Sequence, residues 1–393
     1  MVTPARAAAA LAAAAVIAGV AMYTMRDGRR RATPAAPAGI ASTSRADLER
    51  TAAAMEARVS ADPADRDASV VLADTLLRQS RITGNAALAV RAEDVARAAL
   101  RLSPGDASAQ RALGAVLLSR HKFAEAAVEA ERLAVERPRD AALQGIVGDG
   151  RVELGDYAEG FAAFDRMMAL RPDAASYARV SYARELQGDL RGALELMRMA
   201  AEATSPRDLE AQAFAYARLG YLALALGRAD DAARQFRRAD AVFPGYPAVA
   251  IGLTKVALAR GDAEEAAAIA RRQFARAPTA DLAEAIADAA TRLGHTAEAE
   301  RFYGIAESMW RDDTPEPAML ARLMADRGRA PDEAVRIAER AAAVRHDIFT
   351  EDALAWALFK AGRITEARAY SARASRTGSR DARIVAHARE ICQ

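Results

Sequence analysis

Side chains able to do chemistry are few in this chain and badly spaced for it. The four histidines, His121, His295, His346 and His387, are scattered. No two stand four residues apart around a carboxylate, the spacing that sets two imidazoles on one helix face as zinc ligands. Cys392 is the only cysteine, so a single chain can form neither a disulfide nor a thiolate metal site. There is no G-x-S-x-G elbow, no P-loop, and no glycine fingerprint after a strand. The paired acids Asp230–Asp231 and Glu264–Glu265 open helices, where negative charge complements the helix dipole. The expectation is no catalytic residue, no metal, no cofactor and no enzymatic activity, with His121 and His295 as solvent-exposed turn residues.

The elements that carry these residues show in the composition. Apolar residues make up 52% of 393, aromatics only 5%, and alanine dominates. Small side chains let helices approach closely, whereas strands favour β-branched and aromatic residues, so the chain is expected to be all-α. Arginine far outnumbers lysine, which occurs only at Lys122, Lys255 and Lys360. With so much alanine, that bias suggests a GC-rich, bacterial genome. A net charge of +2 with arginines interleaved among acids gives no footprint for nucleic acid.

The first 25 residues are expected to be a membrane-targeting segment. Ala7 to Met25 are uncharged and flanked by Arg6 and Arg26, and at 1.5 Å per residue they nearly span a hydrocarbon core of about 30 Å. A single-pass anchor through residues 7–25 is one reading. The alternative is a signal peptide cleaved near Gly19 and Ala21, giving a secreted or periplasmic chain. Residues 26–43, with Pro34, Pro37 and Gly39, suit a flexible linker. A leading helix is expected over 44–66, opened by Ser44 and Asp47 as a capping box.

Punctuation beyond that point is periodic. Pro104, Pro138 and Pro172 stand 34 residues apart, as do Pro244 and Pro278, a period that signals stacked helix pairs. In the clearest unit, Gly220 leaves room where two helices cross and faces Ala232. Gly227 supplies the unusual dihedrals of the turn, Phe236 packs onto the next pair, and Pro244 ends the second helix. Gly114, Ala126 and Pro138 repeat the scheme, as do Gly148, Phe164 and Pro172, then Gly261, Ala266 and Pro278, and finally Gly362 and Ala367.

This pattern resembles the tetratricopeptide repeat family. The resemblance covers residues 67–379 and implies a right-handed α-solenoid of about nine pairs, with residues 380–393 as a capping helix. It also implies a non-enzymatic scaffold that binds a protein or peptide in the concave groove, tethered at or exported across the membrane. A self-associating component of the cell envelope is the alternative. In such repeats the first helix of each pair lines the groove, and the residue after the small crossing position points into it. That places Tyr182, Tyr221, Lys255, Asp288 and Trp356 on the groove wall, joined by Arg111, Phe214, Phe349 and Asp352 from neighbouring turns.

Overall fold

A computed structural model describes residues 44–312 and 316–393. The expected membrane segment, residues 1–25, and the linker, residues 26–43, lie outside the described residues. Twenty helices and no strand are present among the described residues.

Helix α1 (Arg45–Ala61) is capped reciprocally. The Asp47 amide donates to Ser44 Oγ at 3.2 Å and the Ser44 amide donates to the Asp47 carboxylate at 3.3 Å. Helix pairs follow: α2 (Arg66–Thr83) with α3 (Ala86–Leu102), α4 (Ala107–Ser119) with α5 (Phe123–Glu136), and α6 (Ala141–Leu154) with α7 (Tyr157–Leu170). The middle of the chain adds α8 (Ala174–Leu186) with α9 (Leu190–Ala203), α10 (Leu209–Ala225) with α11 (Ala229–Val242), and α12 (Pro247–Ala259) with α13 (Ala263–Arg276). The last pairs are α14 (Ala280–Arg292) with α15 (Thr296–Asp312), α16 (Pro317–Asp326) with α17 (Pro331–Ala342), and α18 (Ile348–Lys360) with α19 (Ile364–Ala374). Helix α20 (Ala382–Cys392) ends the chain.

Local chemistry accounts for these boundaries. Aspartates cap most first helices: Asp106, Asp140, Asp173, Asp208 and Asp347 each accept a backbone N–H of the first turn. Pro104, Pro138, Pro172, Pro244 and Pro278 stand in the links between pairs, just past a second helix, where no ladder bond needs their missing N–H. Within pairs the turn needs a left-handed residue. Gly227, Gly261 and Gly362 supply it, whereas His121 is forced into it at φ 57°. His295 follows Gly294, which takes the left-handed position in its own turn.

Packing follows the small positions, with one change of partner. A Cβ on Gly220 would lie 2.7 Å from the Phe236 ring, so Gly220 makes room for Phe236 rather than for Ala232. Gly252 of α12 presses on the same ring from the next pair, so Phe236 bolts two pairs together. A Cβ on Gly148 would likewise strike the Phe164 ring, and one on Gly114 would lie 2.8 Å from Ile146. Ala126, Ala232, Ala266 and Ala367 are fully buried.

The coil of residues 44–393 also returns on itself. Leu48 and Ile82 share one apolar cluster with Ala213, Phe236, Phe243 and Tyr246. Arg78 and Arg81 reach Glu210 at 3.4 and 3.0 Å across about 130 residues. Further along, the His346 amide donates to Leu154 O and the Ile348 amide to Tyr157 Oη, both at 2.8 Å. Turns inside early pairs therefore abut the starts of late ones, a contact made far outside nearest-neighbour range.

Candidate functional site

The first helices present a wall whose polar groups join one pair to the next. Arg111 Nη1 lies 2.7 Å from Asp140 Oδ2, and Arg179 Nη2 lies 2.7 Å from Asp149 Oδ2. Arg218 pairs with Glu185, and its guanidinium stands 5.8 Å from the Tyr182 ring centroid. Arg322 bridges Glu284 and Asp326, each at 2.6 Å. Asp326 in turn accepts the Trp356 indole N–H at 2.7 Å. Arginine suits this ladder, because its fixed fork meets a carboxylate in two directions.

Tyr182, Tyr221 and Lys255 fall on neighbouring first helices, α8, α10 and α12. Tyr221 packs edge-on against Phe236 at 5.1 Å and donates its hydroxyl to Ala248 O at 2.8 Å. Lys255 Nζ stands 5.6 Å from the Tyr221 centroid. Tyr182 and Tyr221 are half-buried and Lys255 is exposed, yet all three feel desolvation. It raises both phenols and draws the Lys255 ammonium below its usual range. In each case the surrounding protein removes water from the charged form, which raises a phenol and lowers an ammonium. Asp288 accepts the Tyr303 hydroxyl at 2.7 Å, and burial pushes its carboxyl up.

Phe214 and Phe349 are 43% and 42% exposed, uncovered rings at the starts of α10 and α18. Arg111 borders a shallow open cleft of about 610 Å³ with Arg139, Leu170 and Arg171. Asp352 and Trp356 lie elsewhere than on an open groove wall. Both are buried under α20, where His387 Nδ1 meets Asp352 Oδ2 at 2.9 Å and the imidazole stacks on Trp356 at 4.0 Å. A capping helix that covers the last apolar side also covers whatever polar groups share that side. His121 is likewise not free in solvent, since its Nδ1 lies 2.6 Å from Glu316 Oε1.

Asp149 and Arg322 were overlooked in the sequence, although each follows a small residue, Gly148 or Ala321, as Tyr182 follows Ser181. His387 had a weaker signal, its place on the apolar face of α20 three residues after Ile384. Among the described residues no cluster of three or more histidine, cysteine or acidic side chains is placed to hold a metal ion. The polar groups of the wall bond largely to one another across successive pairs.

Residues 223–289 match the family model described as Tetratricopeptide repeat. Tetratricopeptide repeat protein 36 of Homo sapiens is 37% identical over 106 residues, which is 27% of this chain and 54% of that protein. The Mus musculus protein of the same name is 36% identical over 106 residues, 27% of this chain and 55% of that one. The chain thus spans about half the length of the curated relatives it matches. Two crystal or solved structures share the fold alone. The APC/C hetero-tetramer Cut9–Hcn1 aligns at TM-score 0.53 and 14% identity over 88% of this chain and 59% of that one. The human IFIT1 dimer with PPP-AAAA aligns at 0.55 and 14% over 85% and 78%.

These findings correct the expected localisation. No helix among the described residues is long and apolar enough to cross a membrane, and the matched relatives are repeat proteins of human and mouse. Placement as a single-pass protein through residues 7–25 is withdrawn, and export and a bacterial source find no support either.

Proposed function

We propose that this tetratricopeptide-repeat protein is a non-enzymatic scaffold that takes a protein or peptide segment along the faces of its first helices. The observation that carries the reading is the contrast along that wall. Most polar groups are committed to neighbouring pairs, whereas Phe214 and Phe349 stay over 40% exposed and Lys255 has no carboxylate within bonding distance among the described residues. Exposed aromatic rings and a lysine on the same run of first helices are features that anchor a bound segment. Tetratricopeptide repeats in general bind protein partners, which agrees with this reading, and no cofactor is called for.

The test is binding of a partner identified by co-purification to the wild-type chain and to Phe214→Ala, Phe349→Ala and Lys255→Ala. These side chains support little packing, so circular dichroism is expected to stay unchanged while affinity falls by about tenfold for at least one ring. Equal affinity for all three variants would remove the wall from consideration. Tyr221 is a poorer test residue than sequence suggests, because its removal also strips Phe236 of a packing neighbour.

Self-association is a second reading, favoured by one observation. Val128 and Val135 are exposed on α5, and Val135 lines a cleft of about 570 Å³ with Ala158 and Ala162 of α7. Sedimentation over a concentration series decides it: a single monomeric species throughout removes self-association, and a dimer abolished by Val135→Asp supports it.

A further inference from the structure

The return of the coil on itself has a junction of unusual make-up. Arg345, in the link before α18, is shared among three carboxylates: Glu153 Oε2 at 3.0 Å, Glu316 Oε1 at 3.2 Å and Asp347 Oδ2 at 3.2 Å. Its Nε also donates to the Glu153 carbonyl at 3.0 Å, and its guanidinium lies 4.8 Å from the Phe123 centroid. His121 adds its contact with Glu316 from the α4–α5 turn. Arg376 donates to Gly155 O at 3.3 Å and to His346 O. Ile348, Ala374 and Ile384 meet Val152, Tyr157 and Leu186 beneath these charges.

Two glycines let the surfaces close. A side chain on Gly155 would collide with the His346 backbone, and one on Gly188 with the Gly378 carbonyl. Both turns are left-handed, at φ 94° and 76°, yet left-handedness is not the whole reason for glycine there. Gly227 and Gly261 hold the same conformation, at 72° and 81°, and face open space.

We infer that this junction is an intramolecular latch: it clips the turns of the early pairs onto the starts of the late ones, and its release opens the first-helix wall to a partner. Interfaces between successive pairs combine close-packed apolar side chains with arginine–carboxylate bonds, and the short links of the chain hold each pair beside the next. The latch sets charge pairs and backbone bonds over a small apolar layer between segments about 190 residues apart; salt weakens the charged part, and no local chain connection enforces any of it. It is therefore the interface that parts first. Parting it relieves the crowding that desolvates Tyr182 and Glu153, the latter a carboxyl that burial pushes up to about 7 in spite of Arg345. Repeats within each half keep their neighbours, so the helices persist while the coil widens.

Paired glycine substitutions in the full chain separate the latch from simple backbone strain. Gly188→Ala and Gly227→Ala impose the same left-handed strain, but only the first intrudes on the junction. With helicity intact by circular dichroism, Gly188→Ala is expected to raise the radius of gyration in solution scattering. It should also cost the His346 and Ile348 amides at least about tenfold in hydrogen-exchange protection. Gly227→Ala should change neither. Arg345→Gln should act like Gly188→Ala, and added salt should push the wild-type chain the same way. Identical scattering and exchange for Gly188→Ala and Gly227→Ala would overturn the latch, as would an Arg345→Gln chain with unchanged protection at both amides. Should Gly188→Ala fail to fold, the Arg345→Gln exchange result alone decides.

Discussion

Phe236 is fully buried and touches glycine on both sides, Gly220 within its own pair and Gly252 in the next. Gly252→Ala brings two effects into opposition. Alanine in the interior of α12 favours the helix by about 1 kcal/mol. The new methyl meets three ring atoms of Phe236 inside contact distance, and overpacking of that kind costs about 1–3 kcal/mol because the ring cannot leave its rotamer freely. Steric cost wins, for a net loss of about 0–2 kcal/mol. Phe236→Leu alone costs about 1–2 kcal/mol through lost contact and residual cavity. In the double variant the methyl occupies the space that the ring vacated, so the two losses should not add. A coupling of about 1–2 kcal/mol is expected, against the few tenths seen for independent sites. Urea unfolding followed by far-ultraviolet circular dichroism reads all four chains. Additive losses, or a Gly252→Ala chain more stable than wild type, would refute the bolt between pairs.

Three further outcomes follow from the same geometry. Glu93 sits among Arg97, Arg120 and Lys122, whose hydrogen bonds overcome its burial and hold its carboxyl down at about 2. Its folded value lies below the unfolded one, so its stabilisation is complete above the ordinary carboxylate range and is lost as pH falls towards 2. Glu93→Gln should therefore lower the melting temperature near neutrality, with the gap to wild type closing in acid; a constant gap across pH would contradict it. His387→Ala strips Asp352 of its buried partner and Trp356 of its stacked ring, at a cost of about 1–3 kcal/mol. Red-shifted tryptophan emission and faster exchange in α20 are the expected signs, and an unmoved emission maximum would count against the cap. Arg322→Met leaves the half-buried Glu284 without its guanidinium and should destabilise, whereas the Arg322→Met, Glu284→Leu pair should recover much of the loss. Thermal melts of the two chains test this, and equal losses would show that the charge pair is not the relevant contact.

Much of the architecture was legible in residue order because each cause is local. Aspartate caps, turn glycines and link prolines act within four or five residues, and the crossing glycines act within one pair or its neighbour. The wall was half legible. One position past the small residue finds Tyr182, Tyr221 and Lys255, but the same rule applied without omission also finds Asp149 and Arg322. It could not show that most of these groups bond to the next pair instead of facing a partner.

Sequence alone determined the helices, their pairing and their period, since a repeat of 34 residues depends on nearest neighbours only. Tertiary structure decided the rest. Each pair adds a small rotation, and only the accumulated rotation brings Gly155 to His346, Gly188 to Gly378 and Arg345 to Glu153. No local signal encodes that sum, so the latch, the burial of Trp356 under α20 and the crowding around Tyr182 belong to the folded coil.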